Sequence, residues 1–448
     1  MKVLFSNPPW WVSKQKYNLP GGVTKFLWTR GVRAGSRWPH TMVVKSSPDD
    51  YVFGDNIPYP FFLGYAASYC KKHTSADIYF RDSIGLSESY EKFYDYIKEN
   101  KFDMIIVESG TPSWDHDEKI LSQVKKILPN IKVVVCGPIF TKGEELLNNK
   151  DIFAVLKGEY EKNSVKVINE QISKIYEFDF LTKDEMNNSP FPYYDDLHAR
   201  IYWDGNPHGQ IPPQAQVLSS RGCPYKCIFC VWPATMTSDD PDGNNKRTVR
   251  QYSEDYMFNF LSEIHSKYNF NSVFFDDDTF NLGDKHVENM SNVMKKLNLN
   301  WTAMCRSDGC SHEKWKLMKD SGCLGVKIGY ESGSQRVIDK IINKSLDLEE
   351  AKKTTKYLLD IGLKVHGTFT YGLPGESKTD MITTRKYLES LNLTSYQESG
   401  TAEIEGTPLS NLNESGLKKY PESKKDINYN AYQDGQLKIS EIKKSTSI

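Results

Sequence analysis

Three cysteines in one short loop carry the chemistry that this sequence shows most directly. Cys223, Cys227 and Cys230 lie within residues 221–230 and follow the spacing C-x3-C-x2-C. Their thiolates can hold three irons of a 4Fe–4S cube and leave the fourth iron open to a substrate or cofactor, whereas ferredoxin-type clusters use four cysteines. The spacing therefore favours a cluster that takes part in chemistry. Taken alone, it also permits three unconnected core cysteines or a zinc site, which would need a fourth ligand such as His208.

Predicted strands and helices alternate around this loop. After a strand at residues 216–219, apolar runs and helical periodicity give about six successive strand–helix units. Further strands are predicted at residues 272–276, 302–306, 325–329 and 364–370, and helices at residues 253–268, 284–297, 313–321, 349–361 and 377–391. In such an arrangement, groups that act on a ligand are expected at the carboxyl ends of the strands.

Three consecutive carboxylates end the second of these strands. Asp276, Asp277 and Asp278 directly follow the apolar pair Phe274 and Phe275. Carboxylates so close together repel one another unless a cation lies nearby, and an ammonium group is a natural partner for them. The segment therefore indicates a site for a cationic ligand, although a solvated acidic turn has the same composition.

Two later segments place acidic, serine or glycine residues at strand ends. Glu331 and Ser332 follow the strand at 325–329, and a carboxylate there can accept hydrogen bonds from two hydroxyls of a ligand. The alternative is a helix start that a serine caps, and both interpretations can hold. Gly372 begins a glycine-containing turn after the strand that contains Phe369.

The cysteine loop and these strand ends together resemble the radical SAM superfamily. The resemblance implies a partial (β/α)6 barrel in which S-adenosylmethionine (SAM) binds the open iron through its amino and carboxylate groups. It also implies that the reduced cluster cleaves SAM to methionine and a 5'-deoxyadenosyl radical. The residues implied to contact SAM are Phe229, Asp276, Asp277, Asp278, Glu331, Ser332, Phe369 and Gly372.

The first 160 residues also alternate short apolar runs with helical stretches, which predicts a Rossmann-like α/β domain with a parallel sheet. Strands are predicted at residues 2–5, 77–80, 103–108 and 132–136, and helices at residues 61–72, 90–99 and 117–128. Ligands of such sheets bind at the carboxyl ends of the strands, where Gly and Pro let the backbone approach closely.

This half resembles the cobalamin-binding domain that precedes the cluster domain in one radical SAM class, class B. The residues implied to contact cobalamin are Asn7, Pro8, Pro9, Ser109, Gly110, Thr111, Gly137 and Gly158. The sequence lacks the D-x-H-x-x-G motif whose histidine ligates cobalt in cobalamin mutases and methionine synthase. The resemblance thus implies cobalt without a histidine ligand. We interpret His116 as a polar residue at a helix start, which Asp115 or Asp117 caps.

A basic and aromatic stretch at residues 31–40 follows the first strand. Arg33, Arg37 and Trp38 are predicted to line the cavity, where the arginines hold an anionic substrate or a propionamide side chain of cobalamin. The alternative is a surface loop with an arginine pair, but so many exposed aromatic side chains would be costly.

These patterns divide the chain into four predicted parts. Residues 1–160 form the cobalamin-binding domain and 161–210 a linker that is rich in proline and aromatic residues. Residues 211–410 form the radical SAM barrel, and the polar residues 411–448 form a loose tail or a cap.

The composition indicates which partners and which cellular compartment to expect. The 448 residues carry 57 basic and 58 acidic side chains without a basic block, which argues against a nucleic-acid partner. No apolar run approaches the roughly 20 residues of a membrane span. The N-terminus is too short in its apolar part for a signal peptide. Eight cysteines without a paired framework fit a reducing cytoplasm.

The resemblance implies a methyltransferase that moves a methyl group from methylcobalamin to an unactivated carbon of a small molecule or peptide. It also implies a flavodoxin or ferredoxin-type reductant. The alternatives are a ring-forming or rearranging radical SAM enzyme and a non-catalytic cobalamin or redox sensor. A methylthiotransferase would need a second cysteine set near the N-terminus, which the sequence lacks. We interpret Cys305, Cys310 and Cys323 as core cysteines, since their spacing matches no auxiliary-cluster pattern.

Overall fold

The computed structural model describes residues 1–19, 23–30, 57–111, 113–204, 211–236, 247–401 and 404–410, and it describes only the backbone of residues 11–30, 233 and 234. The predicted cavity loop with Arg33, Arg37 and Trp38 and the predicted tail at 411–448 lie outside these residues. The chain divides into two compact units. The first comprises Met1–Gly205, Pro213–Gln216 and Ile264–Phe270, and the second comprises the rest. The predicted division into four parts stays a prediction.

A parallel sheet of six strands forms the centre of the first unit, as predicted. In sheet order, its strands are Asp77–Asp82, Lys2–Asn7, Met104–Glu108, Lys132–Cys136, Ala154–Leu156 and Ile175–Tyr176. The α-helices of this unit are Phe61–His73, Tyr90–Asn100, Trp114–Ile127, Gly143–Asn148, Glu161–Glu170 and Lys183–Asn187, and Pro138–Lys142 forms a 3-10 helix. The central strands are apolar and buried on both faces, which is the pattern of a parallel sheet covered by helices.

Several elements of this unit were not predicted. Glu161–Glu170 and Ile175–Tyr176 fall within the predicted linker, yet the second of these is the edge strand of the sheet. Trp11–Leu19 and Val23–Arg30 pair as an antiparallel hairpin. The strand Ala154–Leu156 has only three residues, so its sequence shows too little periodicity to identify it.

The helix predicted at 117–128 instead begins at Trp114. The Ser113 carbonyl accepts hydrogen bonds from the amides of His116 and Asp117, at 3.1 and 2.8 Å. Asp115 and Asp117 therefore both lie within the first turn, and neither is the N-cap.

A second sheet has six strands that alternate with helices, which confirms the predicted partial barrel. In sheet order, the strands are Ser395–Gly400, Lys364–Tyr371, Cys323–Glu331, Asn300–Cys305, Ser272–Phe275 and Gln214–Val217. The main helices are Glu254–Tyr268, Asp284–Leu297, His312–Asp320, Leu348–Asp360 and Lys378–Ser390, and the shorter ones are Trp232–Thr235, Gln335–Val337 and a π-helix at Ile338–Ile342. The short strands Ser220–Arg221 and Arg250–Gln251 pair antiparallel. Among the described residues, no helix has both the length and the apolar character to cross a membrane.

Helix caps fix where the later helices of this unit begin. Asp347 accepts hydrogen bonds from the amides of Glu349 and Glu350, at 2.9 and 3.0 Å. Ser377 and Asp380 form a reciprocal capping box at the start of Lys378–Ser390. Each such cap stabilises its helix by about 1 kcal/mol and so holds the preceding loop at the carboxyl end of the sheet.

Candidate functional site

The cysteine loop starts at a position that only glycine can occupy. Gly222 has a φ of 94°, and a Cβ there would lie 2.2 Å from the carbonyl oxygen of Thr248. Cys223 and Cys227 are each 9 % exposed, and Cys230 is half-buried. The Cys230 amide donates to the Cys227 carbonyl at 3.0 Å, which closes a turn between the last two cysteines.

The surroundings of these thiols call for a positive centre. Burial raises the pKa of the Cys223 and Cys230 thiols, and the Cys227 thiolate and the Asp278 carboxylate raise it further. A cysteine binds a metal as its thiolate, so iron or another cation must offset the cost of deprotonating these buried thiols. Within the described ranges, no three His, Cys, Asp or Glu side chains could hold one metal ion. Each thiolate of a 4Fe–4S cube binds its own iron, so such a cluster does not require three side chains to converge on one ion.

The acidic strand end lies against the start of the cysteine loop. The Gly222 amide donates to the Asp278 carboxylate at 3.1 Å. The Thr279 hydroxyl oxygen lies 3.4 Å from Cys223 Sγ. The fold thus brings together the acidic segment and the first cysteine, which are far apart in the sequence.

Asp277 differs from the carboxylates beside it. It is fully buried, and it accepts hydrogen bonds from the hydroxyls of Ser219 and Ser220, at 3.0 and 2.5 Å. His286 Nε2 lies 2.9 Å from the Ser219 hydroxyl oxygen and extends this network. Asp277 therefore ties the strand end to the residues that lead into the cysteine loop. Its role as a SAM contact stays a prediction, which these contacts do not favour.

Glu331 ends the strand Cys323–Glu331 in a left-handed conformation, with a φ of 66°. Its carboxylate accepts hydrogen bonds from Lys344 Nζ at 3.1 Å and from the Thr370 hydroxyl at 2.9 Å, one on each oxygen. A carboxylate has about four acceptor positions, so each oxygen keeps capacity for one further donor. That capacity matches the two hydroxyls of a ribose.

Ser332 and Phe369 are packed into the barrel wall. The Ser332 hydroxyl is buried and lies 2.9 Å from the hydroxyl oxygen of Thr384, on the helix Lys378–Ser390. The Phe369 ring is 1 % exposed and stacks on Tyr330 with 5.5 Å between ring centres. Their contacts with SAM stay predictions.

The remaining predicted SAM contacts lie on turns. Gly372 has a φ of 80°, and its amide and that of Leu373 donate to the Glu376 carboxylate at 2.6 and 3.1 Å. Glu376 thus closes this turn before the helix begins. Phe229 is half-buried within the cysteine loop.

Two buried cations beside the loop were missed in the sequence analysis. The guanidinium carbon of Arg306 lies 3.5 Å from the centre of the Tyr225 ring. Arg306 is also paired with Asp308 through two hydrogen bonds of 2.8 Å. Burial alone would lower the pKa of Lys344, but Glu331 and the Cys227 thiolate raise it above its usual value. No motif marks either residue.

In the first unit, the predicted cobalamin contacts gather at the carboxyl ends of four neighbouring strands. Residues 7–9 end the strand Lys2–Asn7, residues 109–111 follow Met104–Glu108, Gly137 follows Lys132–Cys136, and Gly158 lies just after Ala154–Leu156. The Ser109 amide donates to the Cys136 carbonyl at 2.9 Å. Gly137 has a φ of 85°, and a Cβ there would lie 2.6 Å from the Ser109 carbonyl oxygen, so the two loops touch through backbone.

This edge contains buried polar atoms that lack a hydrogen-bond partner among the described residues. They are the hydroxyl oxygen of Thr111 and the side-chain oxygen of Asn7, whose Nδ2 donates to Asp82 at 3.0 Å. A buried polar atom without a partner is costly, so both positions suit a ligand that brings donors such as carboxamides. The side chains of cobalamin are of that kind.

A buried carboxylate holds one of these loops in place. Asp117 is fully buried and accepts hydrogen bonds from the hydroxyls of Ser109 and Ser113, at 2.6 and 2.8 Å. The Ser113 hydroxyl oxygen also lies 3.2 Å from the Gly110 carbonyl oxygen. Asp117 therefore fixes the loop that contains three predicted cobalamin contacts.

His116 is engaged within the protein. Its Nε2 lies 2.8 Å from the Tyr90 hydroxyl oxygen, and its Nδ1 is shielded from solvent, 3.8 Å from the Asp117 carboxylate. Both ring nitrogens are thus enclosed by side chains of the first unit. This fits its interpretation as a structural residue rather than a cobalt ligand.

Cys305, Cys310 and Cys323 fit core thiols. Cys305 and Cys323 are buried, and Cys310 is partly so. Cys310 Sγ accepts from the Asn281 side-chain amide at 3.5 Å, and Cys323 Sγ lies 3.5 Å from the Gly325 carbonyl oxygen. These contacts are those of single thiols in a packed interior.

Comparison with known families and proteins agrees with this geometry. Residues 217–388 match the Radical SAM superfamily, so this segment is a radical SAM domain. An uncharacterized methyltransferase of Pyrococcus horikoshii is 28 % identical over 374 residues, which cover 78 % of this chain and 77 % of that protein. Cytidylyl-2-hydroxyethylphosphonate methyltransferase of Streptomyces wedmorensis is 27 % identical over 240 residues, which cover 50 % of this chain and 43 % of that protein.

A solved enzyme has a similar fold. The radical S-adenosylmethionine methyltransferase TsrM from Kitasatospora setae, solved with tryptophan substrate and a SAM analog, gives a TM-score of 0.62 at 15 % identity. The match covers 78 % of this chain and 72 % of that one. TsrM has also been solved with cobalamin and a [4Fe-4S] cluster bound, and that structure gives a TM-score of 0.60 at 14 % identity. At such low identity, this likeness concerns the fold alone.

Proposed function

We propose that this chain is a cobalamin-dependent radical SAM methyltransferase that methylates an unactivated carbon of a small molecule or peptide. The observation that carries the proposal is the three-cysteine loop of a radical SAM domain, held against an acidic strand end. The methyltransferase names of the two relatives support the reaction class. The likeness to TsrM supports an N-terminal domain for cobalamin.

The side chains of the barrel have distinct roles in this proposal. Cys223, Cys227 and Cys230 hold the cluster and leave one iron for SAM. Asp278 and Asp276 accept hydrogen bonds from the amino group of SAM, and Glu331 accepts them from its ribose hydroxyls. Phe229, Phe369, Ser332 and Gly372 line the remainder of the SAM site. When bound, the cluster would supply the electron for reductive cleavage of SAM, and cobalamin would supply the methyl group.

The edge of the first sheet holds cobalamin through backbone and neutral polar groups. Asn7 and Thr111 hydrogen-bond to its carboxamides, and Pro8, Pro9, Ser109, Gly110, Gly137 and Gly158 shape the surface against which it lies. No histidine of this edge ligates cobalt. Arg33, Arg37 and Trp38, which lie outside the described residues, stay predicted contacts of the substrate or cobalamin.

The setting follows from the same chemistry. A low-potential cluster needs a one-electron donor, which we propose to be a flavodoxin or ferredoxin-type protein. Such a cluster and eight cysteines suit a reducing cytoplasm. A nucleic-acid partner is not part of the proposal, since the charges are balanced.

Anaerobic reconstitution tests the proposal. The protein would be loaded with iron, sulfide and hydroxocobalamin, desalted, reduced and incubated with SAM, and the products would be separated by mass. Retained cobalamin with both 5'-deoxyadenosine and S-adenosylhomocysteine is the expected result. 5'-Deoxyadenosine alone, with cobalamin retained, would instead indicate a ring-forming or rearranging enzyme. A cluster without retained cobalamin would contradict the assignment of the first unit.

A further inference from the structure

Lys344 is a buried lysine on a segment that hydrogen-bonds to the cluster loop. It is 7 % exposed. The Ile228 amide, directly after Cys227, donates to the Ile342 carbonyl at 2.9 Å. This bond places the segment that contains Lys344 alongside the middle cysteine of the loop.

The position of Lys344 is tightly determined by its neighbours. Its Nζ lies 3.1 Å from Glu331 Oε1. A Cβ on Gly329 would come within 2.2 Å of that oxygen and 3.1 Å of that nitrogen, so glycine makes room for the pair. Asn343 and Ser345, on either side of Lys344, have φ values of 59° and 53°. Such conformations are costly for residues other than glycine and persist where the surrounding structure enforces them.

Arg306 is a second cation that supports the segment containing Lys344. Arg306 is 5 % exposed and donates to the carbonyls of Lys344 and Ser345, at 3.1 Å each. Its guanidinium also lies on the ring of Tyr225, within the cysteine loop. The Cys227 thiolate is among the charges that raise the pKa of both Lys344 and Arg306. Both cations thus act electrostatically on the same cysteine.

We propose that Lys344, held in place by Arg306, is a charge-setting residue that stabilises the reduced form of the cluster. The inference rests on the proposed function only in that Cys227 ligates a 4Fe–4S cluster. Reduction takes the cluster from the 2+ to the 1+ state with one electron from the flavodoxin or ferredoxin-type donor, and no bond or proton changes. The added negative charge lies near a fixed ammonium in a poorly solvated site, where the attraction is strong. The reduction potential is therefore less negative than it would be without Lys344.

The rival explanation is that Lys344 only orients Glu331 for the ribose. The two roles are separated by measuring the potential without SAM, since orientation of Glu331 then has no ligand to affect. The experiment is a redox titration of the reconstituted full-length protein, followed by the electron paramagnetic resonance signal of the reduced cluster.

Three variants define the expected result. Lys344→Gln removes the charge and should shift the reduction equilibrium at least tenfold toward the oxidised cluster, about 59 mV for one electron. Lys344→Arg keeps the charge and should stay near the parent value. Lys340→Gln removes the same charge from an exposed position on the adjoining π-helix and should leave the potential unchanged.

Glu331→Gln gives a check with the opposite sign. It keeps the ammonium but removes its counter-charge, so the potential should become less negative. A Lys344→Gln protein with full iron and sulfide content and a parental potential would overturn the inference. If that variant does not assemble a cluster, an unchanged or more negative potential in Glu331→Gln would overturn it. Absence of a cluster from the parent protein would overturn the proposed function and this inference together.

Discussion

The cluster loop of the second unit and the carboxyl edge of the first sheet position their candidate residues by different means. Around the cluster loop, charged side chains do the positioning: Asp278, Glu331, Lys344 and Arg306 all make ion pairs or charge-assisted bonds. At the sheet edge, backbone groups and hydroxyls do it, and the buried carboxylates Asp117 and Asp82 bind serine hydroxyls and the Asn7 amide.

This difference matches the ligands that we propose. An iron–sulfur cluster and SAM carry charges that a buried site must balance. Cobalamin presents many neutral amides around a large ring, and these need backbone approach and unpaired donors or acceptors. A substitution in one region should therefore affect its own ligand and spare the other, which gives three ways to test the comparison.

The largest effect is expected from Cys227→Ala. Loss of one thiolate should abolish the visible absorption of the reconstituted cluster and all 5'-deoxyadenosine formation. Retention of cobalamin after desalting should stay at the parental level, because no residue of the sheet edge is changed. Cys310→Ser is the matched control, since it alters a partly buried cysteine outside the loop and should retain the cluster. A full cluster in Cys227→Ala would contradict the ligand assignment.

Gly137→Ala should have an intermediate effect of the opposite kind. The new Cβ would lie 2.6 Å from the Ser109 carbonyl oxygen, in a backbone conformation that costs residues other than glycine about 1–3 kcal/mol. We expect cobalamin to bind at least tenfold more weakly, as followed by its absorption spectrum during titration, with normal iron content. Gly283→Ala serves as control, because its φ is 92° but no atom lies within 4 Å of the added Cβ. Equal cobalamin affinity in both variants would refute the contact between the two loops as the cause.

The smallest effect is expected from Asp117→Asn. Both hydroxyls bind the same oxygen of Asp117, so the amide can still accept from them but loses the negative charge that strengthens both bonds. This loss should lower the free energy of unfolding by about 1 kcal/mol. Urea unfolding followed by circular dichroism measures this change, and cobalamin binding should weaken with it. Asp115→Asn changes an exposed neighbour in the same helical turn and should leave both unaltered. A loss of iron in Asp117→Asn would contradict the prediction that a substitution in one region spares the ligand of the other.

The local signals in the sequence predicted the two α/β regions and the cysteine loop. Alternating apolar strands and helices mark each parallel sheet, and three cysteines in one loop need no distant partner to be recognised. The polar strand Ser395–Gly400 was not predicted, because it lies at a sheet edge and lacks an apolar face. The strand Ile175–Tyr176 was not predicted, because two residues are too few to show a periodicity.

The different contacts of neighbouring residues could be assigned only from the three-dimensional structure. Asp277 and Asp278 are adjacent and identical in type, yet one binds Ser219 and Ser220 while the other binds the Gly222 amide. Lys344 and Arg306 became notable only through contacts with Glu331 and Tyr225, which are distant in sequence. Sequence patterns report local periodicity and spacing, and they do not report which way a side chain at a strand end turns.

The contacts of residues 404–410 limit where a fragment that contains the barrel can end. The Leu409 amide donates to the Ile228 carbonyl at 2.9 Å, so residues 404–410 are fastened to the cysteine loop. The match to the radical SAM superfamily stops at residue 388, before the edge strand Ser395–Gly400 and before Leu409. A fragment trimmed to the family boundaries would lose an edge strand and one support of the loop, so excision or domain exchange should keep the chain through residue 410.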